Sequence, residues 1–198
     1  MINRKQFYDK LKETKVLTKL KTLNQSQVNG IEAIFNEWDN SGYTDLRWLA
    51  YMLATAYHEV DGKMTPIEEY GKGKGRPYGS KIKMSRAKYD KPDKLYYGRG
   101  LVQLTWYENY ESMGKLLGID LLNKPELALD PRESVRIMFE GMTRGKSKRG
   151  DFTGKALEDY FGPGKLDDPT NARRIINGTD KAVLIATYHK DFLRCLTI

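Results

Sequence analysis

The chain has 198 residues, 39% of them hydrophobic and 30% charged, and a formal net charge of +8. Such a chain suits one large domain or two closely packed lobes around a sizeable core, far from the disordered class. A lone cysteine, Cys195 in the apolar stretch FLRCL, excludes an internal disulfide scaffold and is expected as a buried thiol. The only histidines, His58 and His189, exclude a histidine-rich metal site.

The first residues, MINRKQFYDKLKE, are polar and mixed in charge and lack the apolar core of an export signal. No stretch approaches the roughly 20 apolar residues of a membrane span. A soluble protein made in a cytoplasm is expected, with any work outside it requiring another route out. Ser26 is predicted to cap a helix through QVNGIEAIFNEWD, where Val28, Ile31, Ile34, Phe35 and Trp38 fall at helical spacing, and NSG at 40–42 breaks it. A second helix starts from Thr44 or Asp45, with Leu46, Leu49, Met52, Leu53, Ala56 and Tyr57 as its buried stripe. It runs into ATAYHEVDG, residues 54–62.

From 60 to 98 periodicity disappears. Nine of these residues are Gly or Pro, and ten bases stand against five acids, which is +5 of the net +8. A long irregular segment inside a compact domain is either functional or disordered; its five tyrosines argue for packing, with room for a short β-hairpin. The charge suits an anionic partner such as nucleic acid, anionic lipid or an acidic wall polymer, and equally a solvated lysine-rich surface. Helical signal returns at TWYENYESMGKLLG, with Thr105 and Glu108 as a capping box and Gly118 as a stop. Asp130, Pro131 and Glu133 open a further helix in RESVRIMFEGM. A short helix is expected in GKALEDYF, and Thr179 is expected to cap the last one, DKAVLIATYHKDFLRCL.

Glu59 continues the buried face of the second helix and sits in or just past its last turn. Unpaired carbonyls there and partial burial both favour the protonated carboxyl, as a general acid at neutral pH requires. The same residue would also serve as a plain hydrogen-bonding group across a lobe junction. Glu68 and Glu69 follow nine and ten residues later, after a turn that can bring one of them opposite Glu59. Inverting glycoside hydrolysis needs such a pair, about 6.5–9.5 Å apart. Spacing alone does not choose between the two. HEVDG lacks the second histidine of a zinc-protease helix, the glycines at 71–79 lack the ending of a phosphate loop, and no serine lies in a nucleophile elbow.

ATAYHE at 54–59, MTPIEEYGKGKGRPYG at 64–79, YYGRGLVQLTWYENY at 96–110 and RRIINGTDKA at 173–182 together resemble glycoside hydrolase family 19, which includes chitinases and phage or prophage endolysins. The likeness is nearest the compact phage-type members and covers roughly residues 26–195. That implies one catalytic domain over 1–198 without a separate wall-binding domain. The implied fold is all-α in the main, two-lobed and lysozyme-like, around a glycan-binding cleft. The implied site has Glu59 as general acid and Glu69, or else Glu68, as general base. Thr105 holds the attacking water, Gln103 lines the cleft, and Asn109 and Asn177 bind sugar. Tyr96 could stack on a sugar or fill the lobe junction. Arg99 could bind glycan or hold an acidic side chain. His58 orients a neighbour or packs. No cofactor and no metal are implied.

One departure stands out. Many family members carry an acidic residue and an arginine after the asparagine-glycine turn, and the arginine helps to position the catalytic carboxylates. Here no arginine follows that turn before Arg194. Arg99 or a base from 60–98 is expected to take its place. The functional expectation is an endolysin cleaving the β-1,4 bond between N-acetylmuramic acid and N-acetylglucosamine in peptidoglycan. It would be monomeric, held in the host cytoplasm until a membrane pore opens or else carried in a virion, with residues 60–98 meeting an anionic outer-membrane surface. The alternatives are a chitinase and a non-catalytic binder of glycan or nucleic acid; the acidic pair inside the basic segment argues against nucleic acid.

Overall fold

A computed structural model describes residues 2–91, 93–164 and 166–197. In chain order it has α1 (Arg4–Leu11), α2 (Gln25–Ser41), α3 (Leu46–Glu59), β1 (Ile67–Glu68), β2 (Arg99–Gly100), α4 (Tyr107–Leu117), α5 (Pro131–Met142) and α6 (Ala182–Leu196). Short 3-10 turns fill the links, at Pro77–Ser80, Leu157–Asp159 and Asn171–Ile175 among others. The two strands pair antiparallel, Ile67 with Gly100 and Glu68 with Arg99. The expectation of a mainly helical, two-lobed lysozyme-like molecule is met, but the short hairpin expected inside 60–98 is instead a two-strand ladder whose partners are far apart in the chain, the second just past that segment.

α3 is the central rod. Every residue from Leu49 to Tyr57 is buried, wider than the stripe read from the sequence. A helix apolar all round is a core helix. α6 packs along it, with α1 on α6 and α2 on α5. Phe7, Phe35, Tyr57 and Phe192 meet edge-on or stacked at this junction. Cys195 is buried as expected, and burial pushes its thiol up to about 11.

Three helix starts differ from expectation. Asn24, not Ser26, caps α2: its side chain accepts from Gln27 N at 2.9 Å, and the Gln27 side chain accepts from Asn24 N at 3.1 Å. Asparagine is at least as good a cap as serine, and this box is reciprocal. Thr179 caps α6 only through its backbone oxygen, which accepts from Ala182 N, while Lys181 supplies a left-handed residue. Thr105 and Glu108 form no capping box. Thr105 donates to Gln103 O at 2.8 Å, and the Glu108 carboxylate accepts from Met84 N and Ser85 N at 3.2 Å, tying α4 to the basic segment. Asp45 and Asp130 cap α3 and α5 as read from the sequence.

Candidate active site

α3 stops at Glu59 because the next residues reverse the chain. Asp61, Gly62 and Met64 all have positive φ, and Gly62 N donates to Tyr57 O at 2.7 Å. The reversal is held from outside. Gln27 Nε2 donates to Gly62 O at 2.9 Å, and Lys19 forms an ion pair with Asp61. Gly30 of α2 lies so close that a Cβ there would be 1.8 Å from Met64 O. A rigid helix end thus delivers Glu59 to a cleft of about 410 Å³.

The other walls come from sequence-distant pieces: Arg76, Pro77 and Tyr78; Val102 to Trp106 with Asn109; and Phe152, Ile176 and Asn177. The 99–106 stretch is tightly folded. Arg99 and Leu104 exchange backbone hydrogen bonds, and Gln103 Nε2 donates to Ile67 O and Gly100 O, stitching this loop to β1. Gly100 has a φ of +87, and a Cβ on it would lie 2.8 Å from Ala128 O, so glycine is required there. Gln103 and Trp106 also have positive φ, at 52 and 77. Two bulky residues held in that region, both in the cleft wall, are strain of the kind that gathers at functional sites. Asn109 Nδ2 donates to Thr105 O at 2.9 Å, so Gln103, Thr105 and Asn109 form one hydrogen-bonded run along the wall.

Glu59 is paired with Arg173, Nη1 to Oε1 at 2.5 Å, with side-chain exposures of 13% and 3%. Arg173 Nε also donates to Asp180 O at 2.9 Å, which fixes the fork. This corrects the expectation that Arg99 or a base from 60–98 would serve: the guanidinium comes from just before the asparagine-glycine turn. Helix end and burial, the two influences on Glu59 legible in the sequence, are thus joined by a third, the charge of Arg173. The available signal was an arginine beside two isoleucines in RRIING, a residue seldom buried without a partner.

The adjacent glutamates have different partners. Glu68 accepts from Tyr97 Oη at 2.5 Å and pairs with Lys72 at 3.0 Å; Arg99 Nε lies 3.7 Å away. The Tyr97 hydrogen bond, then Lys72, hold its carboxyl below the usual glutamate range. Glu69 accepts from Tyr78 Oη at 3.1 and 3.2 Å and from Gly98 N at 3.1 Å. Tyr78 lines the cleft and packs edge-on against Trp106 at 5.1 Å. Neither glutamate lines the cleft itself, and Glu69 is one side chain away from it.

For Tyr96 and Arg99 the structure favours packing and an acidic partner over the sugar contacts also expected, with Arg99 3.7 Å from Glu68. Tyr96 is fully buried, its hydroxyl donates to Leu122 O at 2.8 Å, and its ring packs on Tyr89, Tyr107 and Tyr110. Arg99, 6% exposed, stacks on Tyr97 at 3.7 Å and donates to Leu95 O and Tyr110 Oη. Both belong to the core behind the β1–β2 ladder. His58 stands half-buried beside Glu59 without lining the cleft, and burial lowers its imidazole below the usual value. Gln103, Thr105, Asn109 and Asn177 do line it. Trp106, Phe152 and Ile176 add apolar surface; for Trp106 the sequence favoured packing, and for Phe152 and Ile176 it carried no signal. Among the described residues no group of three or more His, Cys, Asp and Glu could hold a metal ion, and no helix is long and apolar enough to cross a membrane.

A helical two-lobed body around such a cleft defines a lysozyme-like protein. Within that class the chain belongs to glycoside hydrolase family 19: the family model described as chitinase class I matches residues 32–150. An endochitinase of Arabidopsis thaliana is 43% identical over 82 residues, 41% of this chain and 29% of that protein. Endochitinase 1 of Theobroma cacao is 51% identical over 49 residues, 24% of this chain and 15% of that protein. The chain thus matches less than a third of the length of these curated relatives. A bacterial family 19 chitinase of known structure has a TM-score of 0.61 at 20% identity, covering 100% of this chain and 95% of its own. Chitinase C from Streptomyces griseus gives 0.59 at 21% identity, covering 98% and 76%.

Proposed function

We propose that this chain hydrolyses β-1,4 bonds in glycans of N-acetylated aminosugars, with inversion at the anomeric carbon. The carrying observation is the placement of Glu59, at a fixed helix end, in one cleft with Gln103, Thr105, Asn109 and Asn177. Glu59 acts in its protonated form and gives the proton to the leaving oxygen from the carboxyl oxygen that Arg173 does not hold. Water attacks from the opposite face and passes a proton to a carboxylate. Glu69 is the better candidate for that base, because its partner Tyr78 lines the cleft, whereas Glu68 is committed to Tyr97, Lys72 and Arg99. Thr105 spends its own proton on Gln103 O, so its oxygen is an acceptor that can take the second hydrogen of the attacking water. The Asn109 and Asn177 amides suit N-acetyl and hydroxyl groups without adding charge.

For the substrate, the relatives' names favour chitin. A second reading, a peptidoglycan-cleaving endolysin of the compact phage type, is favoured by the +8 charge and the basic 60–98 segment, since chitin is neutral and peptidoglycan carries acidic groups. Release of reducing ends from chitin oligomers and from purified peptidoglycan tests both. Turnover of either that is lost in Glu59→Gln supports the hydrolase; turnover of neither removes it.

A further inference from the structure

Among the described residues lining the cleft, only two carry full charge, Glu59 and Arg76. Glu59 is answered by Arg173. Arg76 has no such answer: it is exposed, and its guanidinium makes no hydrogen bond or ion pair with the described residues. Most other arginines of the chain are tied down, as Arg4, Arg47, Arg136 and Arg144 are by carboxylates.

The backbone beneath Arg76 is fixed. Arg76 N donates to Gly73 O at 3.0 Å, and Arg76 O accepts from Gly79 N and Ser80 N at 3.0 and 3.2 Å. Pro77 follows and starts the 3-10 turn. Gly79 lies so close to Gly73 that a Cβ on it would be 1.9 Å from Gly73 O. Tyr78 is bound at both ends, its hydroxyl to Glu69 and its carbonyl to Tyr89 Oη at 3.1 Å. The backbone thus fixes where the side chain starts, and the planar guanidinium fork at its end matches a carboxylate.

We propose that Arg76 reads a carboxylate on the bound glycan and so makes this site selective for acidic over neutral aminosugar chains. A neutral chain has nothing to pair with this charge. A glycan bearing a lactyl ether carboxylate, or a peptide carboxylate attached through it, does. This inference rests on the glycan-cleft reading above, and it assigns that cleft a substrate class.

The test is made on the Glu59→Gln protein, so that binding is read without turnover. Dissociation constants are measured by calorimetry for a neutral chitin hexamer, for peptidoglycan glycan strands stripped of peptide, and for strands with peptides intact. The ratio of acidic-strand to hexamer affinity should favour the acidic strands. Arg76→Gln should cut that ratio about tenfold, the worth of one charge-assisted hydrogen bond, and Arg76→Lys should restore part of it. Selectivity confined to stripped strands assigns the contact to the sugar's own carboxylate; selectivity confined to intact strands assigns it to peptide. A ratio unchanged by Arg76→Gln overturns the inference, as does an equal loss on acidic and neutral ligands. Arg76-dependent selectivity in a wild-type protein that cleaves neither glycan would sink the hydrolase and leave this inference standing.

Discussion

The residues that matter most to the cleft are Glu59 and its partner Arg173. Glu59→Gln keeps the shape and the hydrogen bond but removes the transferable proton. Activity should fall by at least about 10²-fold, as for general acid–base groups, with an unchanged circular dichroism spectrum. A variant keeping a tenth of wild-type turnover would take the acid's role from Glu59. Arg173→Ala leaves a carboxylate that is 13% exposed without its partner, which should cost about 3 kcal/mol of stability, read as a lower urea midpoint. Glu68 makes a separate pH prediction. Its folded value lies below the ordinary one, so its contribution is complete above the unfolded glutamate range and fades as pH falls through it. Between about pH 5 and 3, wild type should lose melting temperature more steeply than Glu68→Gln; parallel curves would show that the Tyr97 and Lys72 contacts contribute nothing.

Elements explain why so much of this was legible from sequence. α3 carried period, cap and a breaking VDG, and Asp45, the buried stripe and the stop at Glu59 all stand in the structure. Glu59, Gln103, Thr105, Asn109 and Asn177 could be placed in one cleft because a family pattern links them across the chain. What escaped was contact between distant segments. No local rule pairs Arg173 with Glu59, 114 residues apart, or sends the Glu108 carboxylate to Met84 and Ser85 in place of Thr105. Tyr96 and Arg99 sit in a motif of functional appearance, yet the whole run from Tyr96 to Val102 is buried. Gly30 shows the same limit: inside α2 it reads as a weak point, where alanine would add roughly 1 kcal/mol to helix stability. Packing reverses the sign, because the α3 exit turn occupies the space of a Cβ. Gly30→Ala should destabilise by about 1–3 kcal/mol and lower activity by shifting Glu59; a stabilised, fully active variant would show that α2 does not brace the site.

Over the whole molecule, the proposed reaction is a direct displacement by water between Glu59 and a second carboxylate, in a cleft assembled from separate segments between Glu59 and Asn177. Glu69→Gln and Glu68→Gln should separate, with the first losing activity heavily and the second only modestly, through charge. The mechanism itself has a more direct readout, the anomeric proton of freshly released product, followed by NMR before mutarotation. A covalent route would bring the two carboxyls to about 5–5.5 Å and leave no room for the water that Thr105 is positioned to accept. Inversion puts the α anomer first from a β-linked substrate. A first product that retains the β anomer would contradict it.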